Sequence, residues 1–379
     1  IIMRTLGKLL LTAMALFTLS VSGEAKKIKK ITASDIVLFY AGGHNGSMYD
    51  QKYAADYVSY VDRDGKEHWL FDGYLLLQIW DTRNDQASNV TFTPGMKDED
   101  GRFLPSANQA DWMKLIDYYF EEGSCIDAID KAVAEASKRL GKPETKRQII
   151  ISIPDPMPYK ESMTKKHGTT YWGLLGDKVA DFSDENDRIA ACKWFVDQCL
   201  KKYREHKYEN VELAGFYWIT EETLDKSPLL PAISDYVHSK GYPITWIPYF
   251  QAPGYTEWRE KGFDMAWYQP NYFFYPVPES QIRTACEQAI ANGMAMEMEL
   301  DERAAVKPLW GTESLAYKLR AYMKTFKECG PWAKCQLAYY QDTNAVQYLK
   351  QTGDPRDLEL YYDFCDFVAK RPYRTQKQN

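Results

Sequence analysis

Two stretches of the sequence run from apolar residues into carboxylates. They are Val211–Thr223 (VELAGFYWITEET) and Met294–Arg303 (MAMEMELDER). Short apolar runs with β-branched and aromatic residues are typical of buried strands. Paired carboxyl groups at strand ends can hydrolyse a glycosidic bond, because one protonates the leaving oxygen while the other attacks the sugar or activates water. The candidate catalytic residues are Glu221, Glu222, Glu297 and Glu299.

The spacing of these acids limits which of them share a face. Glu221 and Glu222 are adjacent, and successive strand side chains point to opposite faces, so at most one faces a cleft if the strand continues that far. The sequence leaves this parity open and places Glu221 at the rim. Glu297 and Glu299 share a face, and Glu299 lies nearer the outgoing strand end, which makes it the better nucleophile candidate; Asp301 is a third possibility. The alternative is a structural role with arginine or backbone amides as partners, because a buried acid without partners is costly.

The surrounding elements predict the scaffold. Eight apolar runs, most of them followed by a helical pattern, indicate an α/β fold with a parallel sheet, and their number in this length favours a (β/α)8 TIM barrel with its chemistry at the carboxyl ends of the strands. An open doubly wound sheet is the alternative, but AGGHNGS after the first run lacks the GxGxxG spacing of its phosphate turn. The predicted strands are Ile36–Gly43, Asp72–Asp81, Arg147–Pro156, Val211–Thr220, Ile244–Gln251, Phe263–Pro270, Met294–Leu300 and Cys335–Gln341.

The connections between the strands differ in length. Tyr53–Leu70 predicts an inserted hairpin after strand 1, because Asp64–Gly65 between β-prone runs is a strong hairpin signal. Helical periodicity over Ala110–Leu140 predicts two helices broken near Gly123. Tyr159–Asp184 is a long βα loop rich in glycine and aromatic residues, and such length is usually functional or disordered.

The first 25 residues predict a secretory signal peptide. Arg4 and Lys8 supply positive charge, Leu9–Val21 is apolar, and small residues follow as far as Ala25. The apolar run is too short for an ordinary membrane span, although an uncleaved anchor is the alternative. We therefore expect a secreted, periplasmic or cell-surface protein, with one barrel domain over residues 26–379 and no membrane span in the mature chain.

Polar and aromatic residues at the other predicted strand ends are candidate substrate-binding groups. Aromatic faces offer apolar area for sugar rings, and Tyr and Trp add a polar handle. Any single one of these residues is as readily explained as a cap, turn or packing residue. The candidates are Tyr40, His44, Trp80, Asp81, Asp155, Tyr217, Trp218, Tyr249, Gln251, Trp267, Gln269, Asn271, Tyr340 and Gln341.

Composition excludes several other classes of protein. The net charge of −6 argues against a nucleic-acid partner, which favours a basic stripe. The sequence has no CxxC or HExxH pattern, and its five histidines are scattered, so we expect no metal site and no cofactor. No GxSxG elbow supports an esterase. A carbohydrate substrate is the partner that remains, and the oligomeric state stays open.

Several motifs in order resemble one family. They are FDGYLLL at 71–77, the helix around Trp112, GFYWITEE at 215–222, WIPYF at 246–250, WYQPNYFF at 267–274 and MEMELD at 296–301. Together they resemble the secreted bacterial family catalogued as domain of unknown function 4855, common in gut Bacteroidetes. The resemblance spans nearly all of the chain after the signal, and it implies no settled activity.

A wider similarity is to the large retaining glycosidase clan with an eight-fold barrel. In that clan the acid/base Glu ends strand four and the nucleophile Glu ends strand seven. The similarity implies that Glu221 or Glu222 is the acid/base and Glu299 or Glu297 the nucleophile. The clan usually has Asn directly before its acid/base Glu, whereas this chain has Thr220, so the position and the retaining mechanism stay open. The alternative function is a glycan-binding protein on the same scaffold without catalysis.

Overall fold

Eight parallel strands form the centre of the molecule. The computed structural model describes residues 27–40, 49–81, 89–97, 100–157, 170–223 and 228–376. The strands are β1 (Asp35–Tyr40), β2 (Gly73–Leu77), β3 (Arg147–Ile153), β4 (Val211–Trp218), β5 (Ile244–Trp246), β6 (Met265–Tyr268), β7 (Ala295–Glu299) and β8 (Leu337–Tyr340). Each pairs in parallel with its neighbour in the chain, and β8 pairs with β1, which closes the barrel. The predicted (β/α)8 barrel is confirmed and the open sheet is excluded.

Helices cover the outside of the barrel. The side chain of Phe39 on β1 points outward toward the helices, because the centroid of its ring lies 5.4 and 5.0 Å from the ring centroids of Tyr53 and Tyr57 on the first helix. The helices are α1 (Gln51–Val58), α2 (Gln109–Phe120), α3 (Cys125–Leu140), α4 (Glu185–Glu205), α5 (Leu229–Ser239), α6 (Ser280–Asn292), α7 (Ala316–Cys329), α8 (Pro331–Lys334), α9 (Ala345–Gln351), α10 (Pro355–Ala369) and α11 (Pro372–Gln376). In the part of the chain that the structure describes, none of them has the length and apolar character to cross a membrane.

The strand register decides which inward-facing side chains share a level. A shear of about eight staggers neighbouring strands by about one residue, so side chains from alternate strands form layers of four. From the bottom of the barrel to its mouth, the layers are Ile36, Ile150, Thr245 and Ala295; then Leu75, Tyr217, Trp267 and Ala338; then Leu38, Ser152, Ile247 and Glu297; then Leu77, Ile219, Gln269 and Tyr340; and finally Tyr40, Pro154, Tyr249 and Glu299. The polar side chains of the two uppermost layers come from β1, β7 and β8 and from the positions just after β5 and β6.

A cluster of charged residues lies at the bottom end of the barrel. Asp35 at the start of β1 is fully buried, and its two carboxylate oxygens pair with Arg371 and Arg374 near the end of the chain. Tyr339 of β8 donates its hydroxyl proton to the same carboxylate at 2.6 Å. The cluster therefore ties the last helix to the first strand.

The inserted hairpin after β1 is present but shorter than predicted. Ser59–Val61 and Glu67–Trp69 pair in antiparallel fashion around the Asp64–Gly65 turn. Residues 53–58, which we expected in the hairpin, belong to α1 instead. Asp50 caps that helix by accepting from the backbone N–H of Tyr53 at 2.8 Å, and the helical spacing puts Tyr53 and Tyr57 together against β1. The two helices expected around Gly123 are confirmed as α2 and α3.

The long loops carry elements of their own. Trp80–Asp81 pairs with Val90–Thr91, and Tyr171–Leu175 pairs with Lys178–Asp181 inside the loop that follows β3. The rest of that loop, residues 158–169, lies outside the described residues.

Candidate active site

Glu221 lies at the rim of the barrel mouth, beyond the end of β4. Its side chain is exposed on one side, and Gln269 donates to its Oε1 at 2.9 Å. The surrounding protein walls nevertheless remove enough water to raise the pKa of Glu221, and the charge of Glu222 raises it further against the hydrogen bond from Gln269. Glu221 is thus a reachable carboxyl group whose proton is held more tightly than usual.

Glu222 points to a different partner. The hydroxyl of Tyr249 donates to Glu222 Oε2 at 2.9 Å. Glu221 contacts Gln269 and Glu222 contacts Tyr249, and both of these partners belong to the two upper interior layers.

Glu299 lies in the uppermost interior layer, held by protein partners. Tyr322 of α7 donates its hydroxyl proton to Glu299 Oε2, and the backbone N–H groups of Asn271 and Tyr272 also donate to the carboxylate. Glu299 is only 1% exposed. Burial raises the pKa of Glu299 to about 7, with a further rise from the charge of Glu221, although these donors oppose it.

The loop that binds Glu299 is itself anchored by Lys318. The buried amino group of Lys318 donates to the carbonyl oxygens of Tyr272, Phe273 and Tyr275 at 2.8, 3.1 and 2.7 Å. Lys318 and Tyr322 are one turn apart on α7, so one helix face positions both the loop and the carboxylate.

Glu297 lies two residues before Glu299 on β7, in the third interior layer from the bottom of the barrel. It is 1% exposed, and its Oε1 has no hydrogen-bond partner among the described protein atoms. Burial raises the pKa of Glu297 well above its usual range, and the charges of Glu299 and Glu221 raise it further. Burial therefore favours the protonated form of Glu297.

The acids of β4 and β7 face one common space. Glu299 lies in the uppermost interior layer and Glu297 two residues before it on β7, while Glu221 is hydrogen-bonded to Gln269 of the layer just below Glu299. Tyr40 and Tyr340 form another part of the wall: their hydroxyl groups are 3.2 Å apart, and their rings meet edge to face at 5.8 Å.

The third candidate acid on this strand end, Asp301, is held by a neighbour. Its carboxylate accepts from Nε and Nη2 of Arg303 at 3.0 and 2.8 Å, and from the backbone N–H of Arg303 at 2.7 Å. Asp301 therefore stabilises the loop after β7 and is not placed as a nucleophile. Among the described residues, no group of three or more His, Cys, Asp or Glu side chains is placed to hold a metal ion.

Five of the predicted substrate-binding residues do lie at or near this mouth. Tyr40, Tyr249, Gln269 and Tyr340 belong to the two upper interior layers or contact the acids directly. Tyr217 lies lower, but its pKa is raised by burial and by the charges of Glu221 and Glu297, so its ring also faces this interior.

Other predicted residues are turned away from the mouth. Gln341 is fully buried on the outer side, where it accepts from Tyr57 at 2.9 Å and donates to Tyr53 at 3.2 Å. Trp218 follows the inward-facing Tyr217 and so points toward the helices. Strand alternation excludes both from the barrel interior.

Polar partners explain two further displaced candidates. Thr220 donates to Asp155, which keeps this carboxylate beside β4, where its charge adds to the burial that raises the pKa of Cys192 on α4. Asp81 is buried against Lys114 of α2 at 3.1 Å, and Trp80 belongs to the same short hairpin strand. The structure does not bring these residues to the carboxylates.

The remaining candidates serve turns or the core. Gln251 and Asn271 both have positive φ in turns, where the backbone N–H of Gln251 donates to Tyr268 at 2.6 Å and Asn271 Oδ1 accepts from the backbone of Phe250 at 2.5 Å. Trp267 is fully buried in a deep interior layer. His44 lies outside the described residues.

The sequence did not reveal Tyr322 and Lys318. Both lie in an amphipathic helix whose sequence is typical of the helices that cover a barrel. No sequence motif relates either residue to Glu299. Trp310 did carry a signal, because it stands in the Pro- and Gly-containing loop after β7, where barrels place binding groups.

Comparison with known proteins identifies the family. A model described as Domain of unknown function (DUF4855) matches residues 35–366. The chain belongs to this family. No curated protein matches the sequence.

The comparison with solved structures finds similar chains at low sequence identity. One is a candidate alpha-L-fucosidase from Bacteroides thetaiotaomicron VPI-5482, with 13% identity and a TM-score of 0.44 over 96% of this chain and 99% of that chain. Another is a family 18 chitinase from Crocus vernus, with 7% identity and a TM-score of 0.40 over 87% and 99% of the two chains. A candidate Chitinase A from Streptomyces coelicolor has 11% identity and a TM-score of 0.41 over 89% and 98%. These similarities are too distant to assign an activity to the DUF4855 chain.

Proposed function

We propose that the protein is a glycoside hydrolase that acts on a poly- or oligosaccharide, with Glu221 as general acid/base and Glu299 as nucleophile. The observation that carries the proposal is that Glu299 lies in the uppermost interior layer while the exposed Glu221 is hydrogen-bonded to Gln269 of the layer just below. Two carboxyl groups on opposite sides of one sugar position are the arrangement that glycosidic cleavage requires.

The roles follow from access and from the bonded partners. Glu221 is open to solvent, so it can exchange its proton, and its raised pKa favours the protonated form that the leaving oxygen needs. Ionised Glu299 attacks the anomeric carbon while Glu221 transfers its proton to the departing oxygen, and the carbon–oxygen bond to the leaving sugar breaks. Water, deprotonated by Glu221, then hydrolyses the glycosyl ester and restores both groups.

Three neighbours position these carboxyl groups. Gln269 orients Glu221 from β6. Tyr322 and the loop at Asn271 and Tyr272 hold Glu299 and stabilise its ionised form. Because these donors are in place before substrate arrives, little reorganisation is needed in the transition state.

A glycan-binding protein without catalysis is the second candidate function. The low exposure of Glu299 and its set of protein donors favour this alternative, since a nucleophile must reach the sugar. In that case the mouth binds a glycan and leaves it uncut.

The purified protein should be screened for cleavage and binding against a panel of glycans, together with Glu221→Gln and Glu299→Gln. We expect each variant to lose cleavage by at least about 100-fold while it retains binding. Glu287→Gln is the control, because Glu287 is exposed on α6 and lies outside the site. Glycan that is bound and left intact by the unaltered protein would instead establish the binding function.

Export is part of the same proposal. The positive charge and apolar run of the first 25 residues direct the chain out of the cytoplasm. Amino-terminal sequencing of the exported protein should find a start near residue 26, and a cytoplasmic protein of full length would contradict this.

A further inference from the structure

Trp310 is an exposed aromatic side chain held in one orientation. It is 44% exposed, yet its Nε1 donates to Glu302 at 3.3 Å, and the guanidinium of Arg303 lies 4.0 Å from its ring centroid. Arg303 is fixed in turn by hydrogen bonds from its Nε and Nη2 to the buried carboxylate of Asp301. One face and one edge of the indole are therefore anchored, while the rest of it meets solvent.

An anchored exposed ring is suited to binding. A free surface tryptophan loses rotamer freedom when it binds, whereas Trp310 has already lost that freedom in the folded protein. Aromatic residues are frequent binding anchors because they offer a flat apolar surface and lose little conformational entropy when a ligand binds.

Contacts connect Trp310 to the barrel mouth. Trp310 stands in the loop between β7 and α7, which belongs to the face where barrels place their sites. Arg303 also lies 5.7 Å from the ring centroid of Phe274, and Phe274 meets the ring of Tyr340 at 5.4 Å. Phe274 and Arg303 thus separate Trp310 from the wall of the carboxylate site but keep it on one continuous surface.

The charges around Trp310 disfavour an anionic ligand. Asp301 neutralises Arg303, and Glu302 lies against the indole nitrogen. Burial raises the pKa of both Asp301 and Glu302, and the charge of Asp342 raises both further, which places a third acid nearby. A sugar that carries carboxylate or sulfate would be repelled here, whereas an uncharged ring would not.

We propose that Trp310 is a stacking platform for an uncharged sugar ring of the glycan, at a position separate from the bond that Glu221 and Glu299 cleave. This inference rests on the proposed function. It narrows the substrate class to uncharged oligo- and polysaccharides that extend from the mouth to the loop after β7.

The test is electrophoresis in native gels that contain one polysaccharide each. The neutral probes are galactomannan, xyloglucan, arabinoxylan, glucomannan and starch, and the acidic probes are polygalacturonate and chondroitin sulfate. We expect at least one neutral probe to retard the protein, and Trp310→Ala to weaken that binding by about tenfold or more. Trp310→Phe should retain most of the affinity, because it preserves an aromatic face.

Tyr317→Ala is the matched control, since Tyr317 is an aromatic residue that is 59% exposed on α7 and has no part in the platform. Retardation by acidic probes alone, by no neutral probe, or to the same extent by Trp310→Ala and the unaltered protein would overturn the inference. Cleavage by the same samples separates the two proposals. If Trp310→Ala binds as well as the unaltered protein and cleavage depends on Glu221, only the proposal of a stacking platform is refuted. If Trp310→Ala binds more weakly and no sample cleaves the glycan, only the proposal of a hydrolase is refuted.

Discussion

Glu297 and Ser152 face each other across the same interior layer of the barrel. The register places Leu38 and Ile247 in the two other positions of that layer. Neither Glu297 Oε1 nor Ser152 Oγ has a hydrogen-bond partner among the described protein atoms. Burial opposite a small hydroxyl and two aliphatic side chains disfavours the charged form of the Glu297 carboxyl group.

Glu297 should make the stability of the protein depend on pH. Its pKa in the folded state is raised above the ordinary value of 4.5, so the folded protein holds a proton that the unfolded chain releases. The resulting stability is complete below about pH 4.5 and is lost as the pH rises, by about 1.4 kcal/mol per unit for one such group. Glu297→Gln cannot titrate, and we expect it to gain stability relative to the unaltered protein between pH 5 and pH 7. Urea unfolding at several pH values measures this difference, and a difference that stays constant with pH would contradict the neutral assignment.

Tyr322 should control the pH at which Glu299 ionises. The hydroxyl of Tyr322 stabilises the carboxylate, so Tyr322→Phe should raise the pKa of Glu299 above its value of about 7. Cleavage by the proposed nucleophile should then rise at higher pH than in the unaltered protein. The NMR chemical shift of the Glu299 carboxyl carbon, measured on glutamate-labelled protein, reports the same ionisation without any substrate. Tyr317→Phe on the same helix is the control, and a Tyr322→Phe titration that moves to lower pH would be the opposite of our expectation.

Lys318 should stabilise the loop that binds Glu299. Lys318→Met removes a charged donor from three carbonyl oxygens at residues 272, 273 and 275, and we expect it to lower the free energy of unfolding by about 2–4 kcal/mol. Lys324→Met changes an exposed lysine of the same helix and should cost less than about 0.5 kcal/mol. Urea unfolding compares the two. Similar losses for both variants would show that the carbonyl contacts contribute little.

Gly254 should tolerate a side chain much less well than Gly176. Both glycines have positive φ, which costs about 1–2 kcal/mol for alanine. A Cβ at Gly254 would also collide with Thr223 directly after the two rim acids, whereas a Cβ at Gly176 meets nothing within 4 Å. We expect Gly254→Ala to lose about 1–3 kcal/mol more than Gly176→Ala, because overpacking adds to the backbone strain. Thermal and urea unfolding measure both losses, and equal values would refute the collision.

The sequence predicted the barrel, which the structure confirms, because strand periodicity is a local pattern with a global consequence. The pairing of Glu221 with Glu299 as catalytic groups stays a prediction. The same periodicity explains why two predicted substrate-binding residues point away from the barrel interior. Once Tyr217 and Tyr340 face inward, Trp218 and Gln341 must face outward.

Residues from distant elements were harder to predict. Tyr322 and Lys318 act on the site because α7 packs beside the loop after β6, and that packing has no trace in their own spacing. The helix at 51–58 was missed because its β-prone tyrosines hide a helical repeat that becomes favourable only against Phe39 of β1.

The pairing of Asp35 with Arg371 has a consequence during synthesis. The two residues are 336 positions apart, so a ribosome adding about 5–20 residues per second exposes the aspartate for tens of seconds before its counterion emerges. Until then the first strand has no stable place for its buried charge, and the barrel cannot close around it. Synthesis of the segment that carries Arg371, rather than the appearance of any one strand, then times the completion of folding.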